Sequence, residues 1–480
     1  MAETYQHGIY IKELATILTP PVEVAAPIVC VGTSAMFNAT KPANPNEPIL
    51  CSSLAEYVEQ FGWSGDFDKY TNEEAASAAF QLFNISPVIF INVLDTTVHS
   101  AQANKVITGL SNPVTIEEPI ILNTIQITSG SGSAAVTLTA DEFTARFDDD
   151  KCVITITDDD RIVNDTAQLS YKKINPAAVT GADIIGGVDP TTGKNNGLDT
   201  VEDVYSKLGL LPGSLIAPKF SATPAVAQIM ASKVKHINGC FESIAFADIN
   251  TAQVTKYSDA YFYKSQNNLA DERLVICFPK VSLDGQQYHL STQAACLAAS
   301  VDADNDNIPF TSPSNHGLKI DSAVLSDGTP VYLSKAQANF LNGGGIVTAL
   351  NFAGMQRLWG NRTSIFPASS DPKDSFIPVR RMMNFIGNTL VTTYFSKIDN
   401  ATTKRLIESV VDSANIWLNS LAADGAILGG RVDFYEKDNP QNDLIDGKIV
   451  FSVAIGFAVP AETVTFKIEF DPSYYSALFS

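Results

Sequence analysis

The sequence predicts an α/β (α+β) protein with mixed sheets and flanking helices, an inserted all-β domain, and extended N- and C-terminal arms. Three observations support this prediction. From Leu198 onward, strand-like and helix-like segments alternate, as in largely parallel sheets with crossover helices. Between about residues 96 and 180, Thr, Val and Ile alternate with polar residues and no helical period is visible. A strand-like segment without a local partner lies near each end of the sequence.

The N-terminal segment, HGIYIKEL, alternates as a strand does, with isoleucines on one side and Tyr and Lys on the other. A Pro20-Pro21 pair closes the segment before any hairpin partner appears. Its backbone groups therefore need a partner from elsewhere. The residues predicted to form this strand are Gly8, Ile9, Tyr10, Ile11 and Lys12.

Between the N-terminal segment and the β-rich region, the pattern predicts strands and two helices. PIVCVGTS and PVIFINVLD are apolar runs of the kind buried on both faces of a sheet. One helix is predicted over Leu54–Phe61. A second is predicted over residues 72–84, with Asn72 as its N-terminal cap and two glutamates in its first turn.

The C-terminal part predicts a long helix and two final strands. The helix covers residues 400–425 and ends at Gly425. GKIVFSVAIGFAVP and ETVTFKIEF follow as strands, and the second alternates cleanly between apolar and polar positions. The apolar face of this last strand consists of Val464, Phe466, Ile468 and Phe470.

Composition excludes several classes of function. A net charge of −20 argues against a nucleic-acid binder, which needs basic surfaces, and against docking on an anionic membrane. The first 30 residues have no signal-peptide pattern, and no apolar stretch is long enough to cross a bilayer. The six cysteines are scattered without close pairs, and four lie in apolar runs, which predicts buried free thiols and a reducing compartment.

The search for chemistry leaves one carboxylate and one ligand-like cluster open. Asp248 ends the strand SIAFAD, where α/β enzymes often place a catalytic acid, although a carboxylate there also caps a helix. Asp302, Asp304 and Asp306 have calcium-loop spacing, but the sixth and twelfth loop positions are Asn and Pro. The stretch LWGNRT places a Trp beside a Gly and an Arg, which could bind a ligand or fix a turn. We expect no metal and no cofactor.

Stretches in a fixed order along nearly the whole chain resemble the tail sheath proteins of contractile phages and R-type bacteriocins. They are YQHGIYIKE, ADIIGGVDPTTGKNNGLDTVED, GSLIAPKFS, ESIAFADI, LNGGGIVTAL, RLWGNRT, PVRRMMNF, NIWLNSLAADGAILGGRVDF and VPAETVTFKIEF. The β-rich region near residues 96–180 does not share the resemblance. The signature residues carried by these stretches are Gly186, Gly187, Asp189, Trp359, Gly360, Arg362, Arg380, Arg381, Pro460 and Glu462.

The resemblance implies a structural subunit and not an enzyme. Such subunits stack as hexameric rings around a tail tube, and the lattice contracts to drive the tube through the target envelope. Terminal arms add strands to the sheets of neighbouring subunits, a form of β-augmentation. The implied partners are further copies of the chain, the tube protein, and the baseplate and tail terminator proteins. The implied localisation is synthesis in the bacterial host cytoplasm and assembly into a virion tail or bacteriocin particle.

The resemblance also implies a division of the chain. An N-terminal linking arm covers residues 1–20, and an α/β core combines residues 21–95 and 181–350. A β-rich surface domain covers 96–180. A conserved C-terminal domain that faces the tube covers 351–465, and a C-terminal linking arm covers 466–480. Lys404 and Arg405 are candidate tube contacts, although a basic pair on a helix is usually a solvated face.

Two alternatives remain open at this point. The chain could be an α/β enzyme that uses Asp248, if a histidine and a ligand pocket converge on that carboxylate. It could also form another self-assembling lattice, such as a secretion-system or injection-system sheath.

Overall fold

The computed structural model describes residues 22–108, 112–130, 135–148, 151–157, 162 and 166–479. The predicted strand Gly8–Lys12 lies outside these residues. In chain order, the strands of the described part are β1 (Val22–Gly32), β2 (Pro48–Cys51), β3 (Ile85–Asn92), β4 (Ser100–Thr108), β5 (Val114–Ile116), β6 (Gln126–Ser129), β7 (Val136–Thr137), β8 (Phe143–Asp148), β9 (Lys151–Ile156), β10 (Thr166–Ile174), β11 (Gly187–Val188), β12 (Asn195–Asn196), β13 (Ser214–Ile216), β14 (Ile244–Asp248), β15 (Leu274–Cys277), β16 (Lys280–Leu283), β17 (Gln286–Tyr288), β18 (Ser322–Val324), β19 (Pro330–Val331), β20 (Ile346–Phe352), β21 (Met355–Trp359), β22 (Gly429–Asp433) and β23 (Ser452–Gly456).

The helices of the described residues alternate with these strands in the middle of the chain and follow one another near its C-terminal end. They are α1 (Leu54–Phe61), α2 (Thr71–Ala76), α3 (Gly181–Ile185), α4 (Asp203–Leu208), α5 (Pro224–Lys233), α6 (Tyr257–Gln266), α7 (Leu290–Ala303), α8 (Lys335–Gly343), α9 (Pro372–Ser375), α10 (Ile377–Tyr394), α11 (Lys404–Ala423) and α12 (Gln441–Ile445).

The largest sheet has eight strands in the order β2-β3-β1-β13-β14-β15-β20-β21. Its six central strands run parallel, and the edge strands β2 and β21 are antiparallel to their neighbours. Every residue of β14 and β15 is buried, as the continuous apolar runs predict for strands covered on both faces. The α/β fold class is therefore confirmed.

Helix α7 forms part of the core on one face of this sheet, where it packs against β1 and β14. Its sequence, LSTQAACLAASVDA, is rich in small residues, and the positions from Leu290 to Ala299 are all buried. Small side chains let the helix approach the sheet closely. A second apolar cluster, which includes residues of α5, covers the opposite face.

The predicted helix over Leu54–Phe61 is confirmed as α1, with Ser53 as its cap. The second predicted helix begins at Thr71 and continues beyond α2 as a π-helical segment over Ser77–Leu82. The assignment of Asn72 as the cap is wrong. Its amide is buried inside the helix and donates to Ser34 Oγ at 3.0 Å and to the Ile91 carbonyl at 3.2 Å. Tertiary partners override the local capping preference of this residue.

The β-rich region contains two sheets, β4-β10-β6-β7 and β5-β9-β8. They enclose a separate apolar core that includes Ile116, Ile127 and Leu169. The two ends of the region meet, because Ser100 at the start of β4 pairs with Ile174 at the end of β10. The backbone N–H of Asn175 also donates to the His99 carbonyl at 2.8 Å.

Near the C-terminal end, α10 and α11 pack with the two-stranded sheet β22–β23 around another apolar core. The predicted long helix is observed as α11, capped by Thr403, and Gly425 follows it at a φ of +79°. Helix α10 was not predicted from the sequence. The predicted strand ETVTFKIEF, residues 462–470, forms neither helix nor strand here.

The division into domains stays a prediction. Its boundary at residue 350 falls within β20, and both β20 and β21 belong to the eight-stranded sheet. The sheet therefore extends to Trp359, eight residues beyond the predicted start of the C-terminal domain at residue 351.

Candidate functional site: an anchor for the C-terminal segment

The signature residues Trp359 and Gly360 form the turn that leaves the edge of the main sheet. Gly360 has a φ of +139°, which L-residues rarely adopt. A Cβ there would lie 2.8 Å from the Asn342 side-chain oxygen and 3.2 Å from Val347 Cα. The Gly360 N–H donates to Ser314 Oγ at 3.0 Å. The sequence left open whether LWGNRT binds a ligand or fixes a turn, and its glycine makes a turn that only glycine fits.

Two residues further on, Arg362 forms an ion pair with Glu462. Its Nε donates to Glu462 Oε1 at 3.0 Å, and its Nη2 donates to Oε2 at 2.6 Å. This two-point contact suits the planar guanidinium and could not be reproduced by lysine. The two residues are 100 positions apart in sequence. We call this pair, with Ser375 and two phenylalanines described next, the anchor.

The guanidinium of Arg362 is also held on its other sides. Its central carbon lies 3.6 Å from the centre of the Phe376 ring and 4.7 Å from that of Phe366. Its Nη1 donates to Ser375 Oγ at 2.9 Å. Aromatic rings shield the charge from water and attract it, which strengthens the contact with the carboxylate.

The chain around Arg362 is fixed to the rest of the protein through its backbone. The Thr363 N–H donates to the Ser375 carbonyl at 2.9 Å, and the Ser364 N–H donates to the Leu274 carbonyl of β15 at 2.7 Å. The ammonium of Lys264 donates to the Phe366 carbonyl at 2.7 Å and to the Gly344 carbonyl at 2.5 Å. The arginine side of the anchor is therefore part of the rigid body of the main sheet.

The segment that carries Glu462 has far fewer contacts with the rest of the described chain than the segment that carries Arg362. Between residues 457 and 470, the hydrogen bonds to other described residues of the chain are the two that Glu462 accepts from Arg362. Every residue from 461 to 470 is exposed. The apolar face predicted from the sequence is fully open, with Phe466 85% and Ile468 96% exposed. Its other members, Val464 and Phe470, are exposed as well.

Arg380 and Arg381 begin α10 and tie it to its surroundings. Arg380 donates to Asp374 Oδ1 at 2.5 Å. Arg381 forms a two-point pair with Asp302 at the end of α7, with one contact at 2.9 Å. Burial raises the pKa of Asp302, although the charge of Arg381 opposes that effect. Asp302 thus binds an arginine, and among the described residues no three His, Cys, Asp or Glu side chains converge as metal ligands.

The Gly186-Gly187-Asp189 signature shapes a small hairpin. Gly186 has a φ of +65°, and a Cβ there would clash with the Asn196 carbonyl at 1.9 Å. The Asp189 side chain accepts from Thr192 Oγ1 at 2.6 Å and from the Thr191 N–H at 2.8 Å. These hydrogen bonds lower the pKa of Asp189. In the described chain, these residues shape the turn and the hairpin that follows it.

Lys404 and Arg405 lie in the first turn of α11 and are both exposed. The Lys404 ammonium is 3.5 Å from Glu408 Oε1. Cations at the N-terminal end of a helix are unfavourable because that end carries the positive pole of the helix dipole. The first turn of α11 holds no acidic residue to offset them.

Asp248 does lie near a histidine, but its carboxylate accepts hydrogen bonds from the first turn of helix α7. Its Oδ1 accepts from the Ser291 N–H at 3.0 Å, and its Oδ2 accepts from Ser291 Oγ at 2.5 Å. Glu74 acts in parallel by accepting from the backbone N–H of His289 at 2.6 Å and pairing with its ring at 2.7 Å. Two carboxylates thus cap the buried N-terminus of one helix.

The pKa values within this group follow from burial and pairing. Burial raises the pKa of Asp248. Burial also acts to raise the pKa of Glu74, but the charge and hydrogen bonds of His289 hold it below its usual value. Asp248 is 3% exposed, and the partners described for its carboxylate are serines of the protein itself. No local pattern predicts the Glu74–His289 pair, because its members are 215 positions apart.

The cysteines agree in part with the predicted buried thiols. Cys30, Cys51, Cys152, Cys277 and Cys296 are buried, whereas Cys240 is exposed, and all six are free. None of the helices in the described residues combines the length and the apolar character needed to span a bilayer.

Comparisons with known proteins place this fold in a class. The sequence matches no protein-family model. The fold matches a chain of the anti-feeding prophage baseplate with a TM-score of 0.59, at 16% identity, over 98% of this chain and 99% of that one. It matches the anti-feeding prophage helical sheath in its contracted state with a TM-score of 0.57, at 15% identity, over 97% and 99%. The fold is that of contractile-sheath subunits.

Sequence relatives define the chain more closely. It is 28% identical to the tail sheath protein of Burkholderia phage BcepMu, over 100% of this chain and 99% of that protein. It is 25% identical to the major tail sheath protein of Serratia phage KSP20, over 63% and 75% of the two chains. The chain is a homologue of phage tail sheath proteins. These relatives are structural proteins and not enzymes. The comparison therefore confirms the prediction of a structural protein over the alternative of an enzyme built on Asp248.

Lys264 gives the site a testable pH dependence. It is 3% exposed, and burial lowers its pKa to about 8. The unfolded chain therefore binds more protons than the folded chain between pH 8 and the ordinary pKa of 10.5. The free energy of unfolding of the wild type should rise across this window by up to about 3 kcal/mol relative to Lys264→Met. Urea denaturation at several pH values measures the difference.

The comparison with Lys264→Met removes the contributions of all other titrating groups. Lys256→Met, which changes an exposed lysine next to the same helix, serves as the control and should run parallel to the wild type. Parallel curves for Lys264→Met and the wild type would contradict the assignment of a low pKa to Lys264.

Proposed function

We propose that this protein is the structural subunit of a contractile tail sheath. In this proposal it polymerises as stacked hexameric rings around a tail tube and contracts to drive the tube through the target cell envelope. The observation that carries the proposal is the homology with a phage tail sheath protein over the whole length of both chains. The fold match to a sheath in its contracted state supports contraction.

The proposed link between subunits is β-augmentation by the two terminal arms. An exposed apolar strand pattern over 463–470 supports this role for the C-terminal segment, since burial against a neighbour would cover it. In the proposal, Gly8–Lys12 does the same at the N-terminal end. The lattice then keeps its backbone links while rigid subunits rotate past each other.

The sheet β22–β23 offers a receiving site for such strands. In the described part of the chain, each of these strands pairs only with the other, so each has a free edge. Two-stranded sheets are of marginal stability by themselves. An apolar groove runs between β23 and α10, lined in part by Met383, Leu390, Val453 and Ile455. The inward side chains of an added strand would fill this groove.

The remaining partners are proposed on the same basis. Exposed Lys404 and Arg405 at the positive end of α11 favour an acidic partner, and we assign them to the tube protein. The baseplate and the tail terminator would bind the first and last rings, and no nucleic acid or membrane insertion is involved. Synthesis in the host cytoplasm, assembly into a virion tail or bacteriocin particle, and the outward location of the β-rich region belong to the same proposal.

Electron microscopy of the purified full-length chain tests the function. Negative staining should show hollow cylinders with a regular helical repeat at high protein concentration. A chain that stays monomeric at every concentration and salt condition would contradict the proposal. Cylinders that bind a separately purified tube protein would identify the internal partner.

A further inference from the structure

We propose that Arg362 is a positioning residue that fixes the root of the C-terminal arm at Glu462, so that the arm pivots at residue 463. This inference rests on the proposed function, because it concerns the segment assigned to bind a neighbouring subunit. The role proposed for the anchor is to hold the chain at Glu462. The sequence resemblance identified Arg362 and Glu462 only as signature residues.

The first argument comes from where the tethers end. Glu462 accepts the last hydrogen bonds that join the C-terminal segment to the rest of the described chain before residue 471. Residues 463–470 are all exposed and belong to no helix or strand. The boundary between the fixed and free parts of the chain therefore falls directly after the anchor.

The second argument comes from how unequal the two sides are. Arg362 is held by two rings, Ser375 and a backbone joined to β15, and its side chain is 16% exposed. Glu462 directly precedes the free segment that begins at residue 463, and its side chain is 35% exposed. Because Arg362 is held from several sides and Arg362 is the hydrogen-bonding partner described for the Glu462 side chain, the pair fixes the C-terminal segment to the main sheet.

The third argument concerns how far the free C-terminal segment can extend from the subunit. Eight extended residues, 463–470, span roughly 27 Å. Without the anchor, the residues from 458 to 462 would join the free part and add roughly 17 Å. A longer and less directed linker lowers the effective concentration of the arm at the neighbouring sheet. The anchor thereby sets both the length and the direction of the link.

The test follows a nitroxide label at the arm root, in subunits kept below their assembly concentration. Val464→Cys carries the label, and Cys240→Ser removes the exposed native thiol. Glu462→Ala should increase the mobility of the label, whereas Glu469→Ala, the same change beyond the root, should not. Arg362→Lys should act like Glu462→Ala, and the two changes together should have no additional effect.

Assembly provides the second readout. Glu462→Ala should raise the concentration needed for cylinders by at least about threefold, with Glu469→Ala as the comparison. Equal label mobility in all variants, or unchanged assembly despite a mobile root, would overturn the inference. Because the label is measured in free subunits, the anchor can fail this test while the sheath function stands. If arm deletion leaves assembly intact, the arm proposal fails, while the label still reports on the anchor.

Discussion

Removal of residues 463–480 should abolish the formation of cylinders and leave a folded subunit. The segment from 463 to 470 makes no described hydrogen bond to the subunit that carries it, and its apolar side chains are exposed. Its loss therefore costs little folding stability but removes the strand proposed to pair with a neighbour. Circular dichroism and thermal melting check the fold, and electron microscopy checks assembly.

Two controls sharpen this experiment. Phe466→Ser with Ile468→Ser keeps the length of the arm but removes the centre of its apolar face, and it should weaken assembly strongly. Thr465→Ser with Lys467→Arg changes the opposite face conservatively and should assemble normally. Deletion of residues 1–20 tests the N-terminal arm separately. Cylinders formed by the shortened chains would refute the role of the corresponding arm.

The largest expected effect on stability comes from Arg381→Leu. The substitution leaves the carboxylate of Asp302, whose side chain is 14% exposed, without its cation, so the free energy of unfolding should fall by about 3–5 kcal/mol. Replacing both partners, in Arg381→Leu with Asp302→Leu, should restore much of the loss, since no unpaired charge is then buried. Chemical denaturation of both variants measures these differences.

Arg405→Leu is the matched control for this prediction. Arg405 is exposed, and its replacement should change the free energy of unfolding by less than about 0.5 kcal/mol. A small loss for Arg381→Leu, with no recovery in the double variant, would contradict the view that this pair joins α10 to α7.

Local patterns in the sequence predicted those parts of the fold that local physics determines. The apolar runs identified the buried strands β1 and β3, SIAFAD was predicted as the strand β14, and helix α1 was predicted with both of its ends. Periodicity could not predict that Asn72 has partners on two distant segments, because such partners depend on tertiary packing. Helix α10 was missed, although Pro378 marks the beginning of a helix.

The candidate site was found in pieces and not as a unit. Trp359, Gly360, Arg362 and Glu462 were all identified as signature residues, but nothing in a linear pattern shows that residues 100 positions apart form a pair. Lys264, which holds the Phe366 carbonyl, was not identified at all. A buried lysine inside a helix looks the same in sequence as a solvated one.

The paired ends of the β-rich region have a consequence for engineering this protein. Because Ser100 pairs with Ile174, the two points at which this region joins the rest of the chain lie side by side. The region is therefore inserted in the same way as a short loop would be. The region also has its own apolar core, so its exchange for another module would leave the packing around α7 intact. Foreign domains whose two ends lie close together should therefore be accepted at this junction, which would make the protein a scaffold for their display.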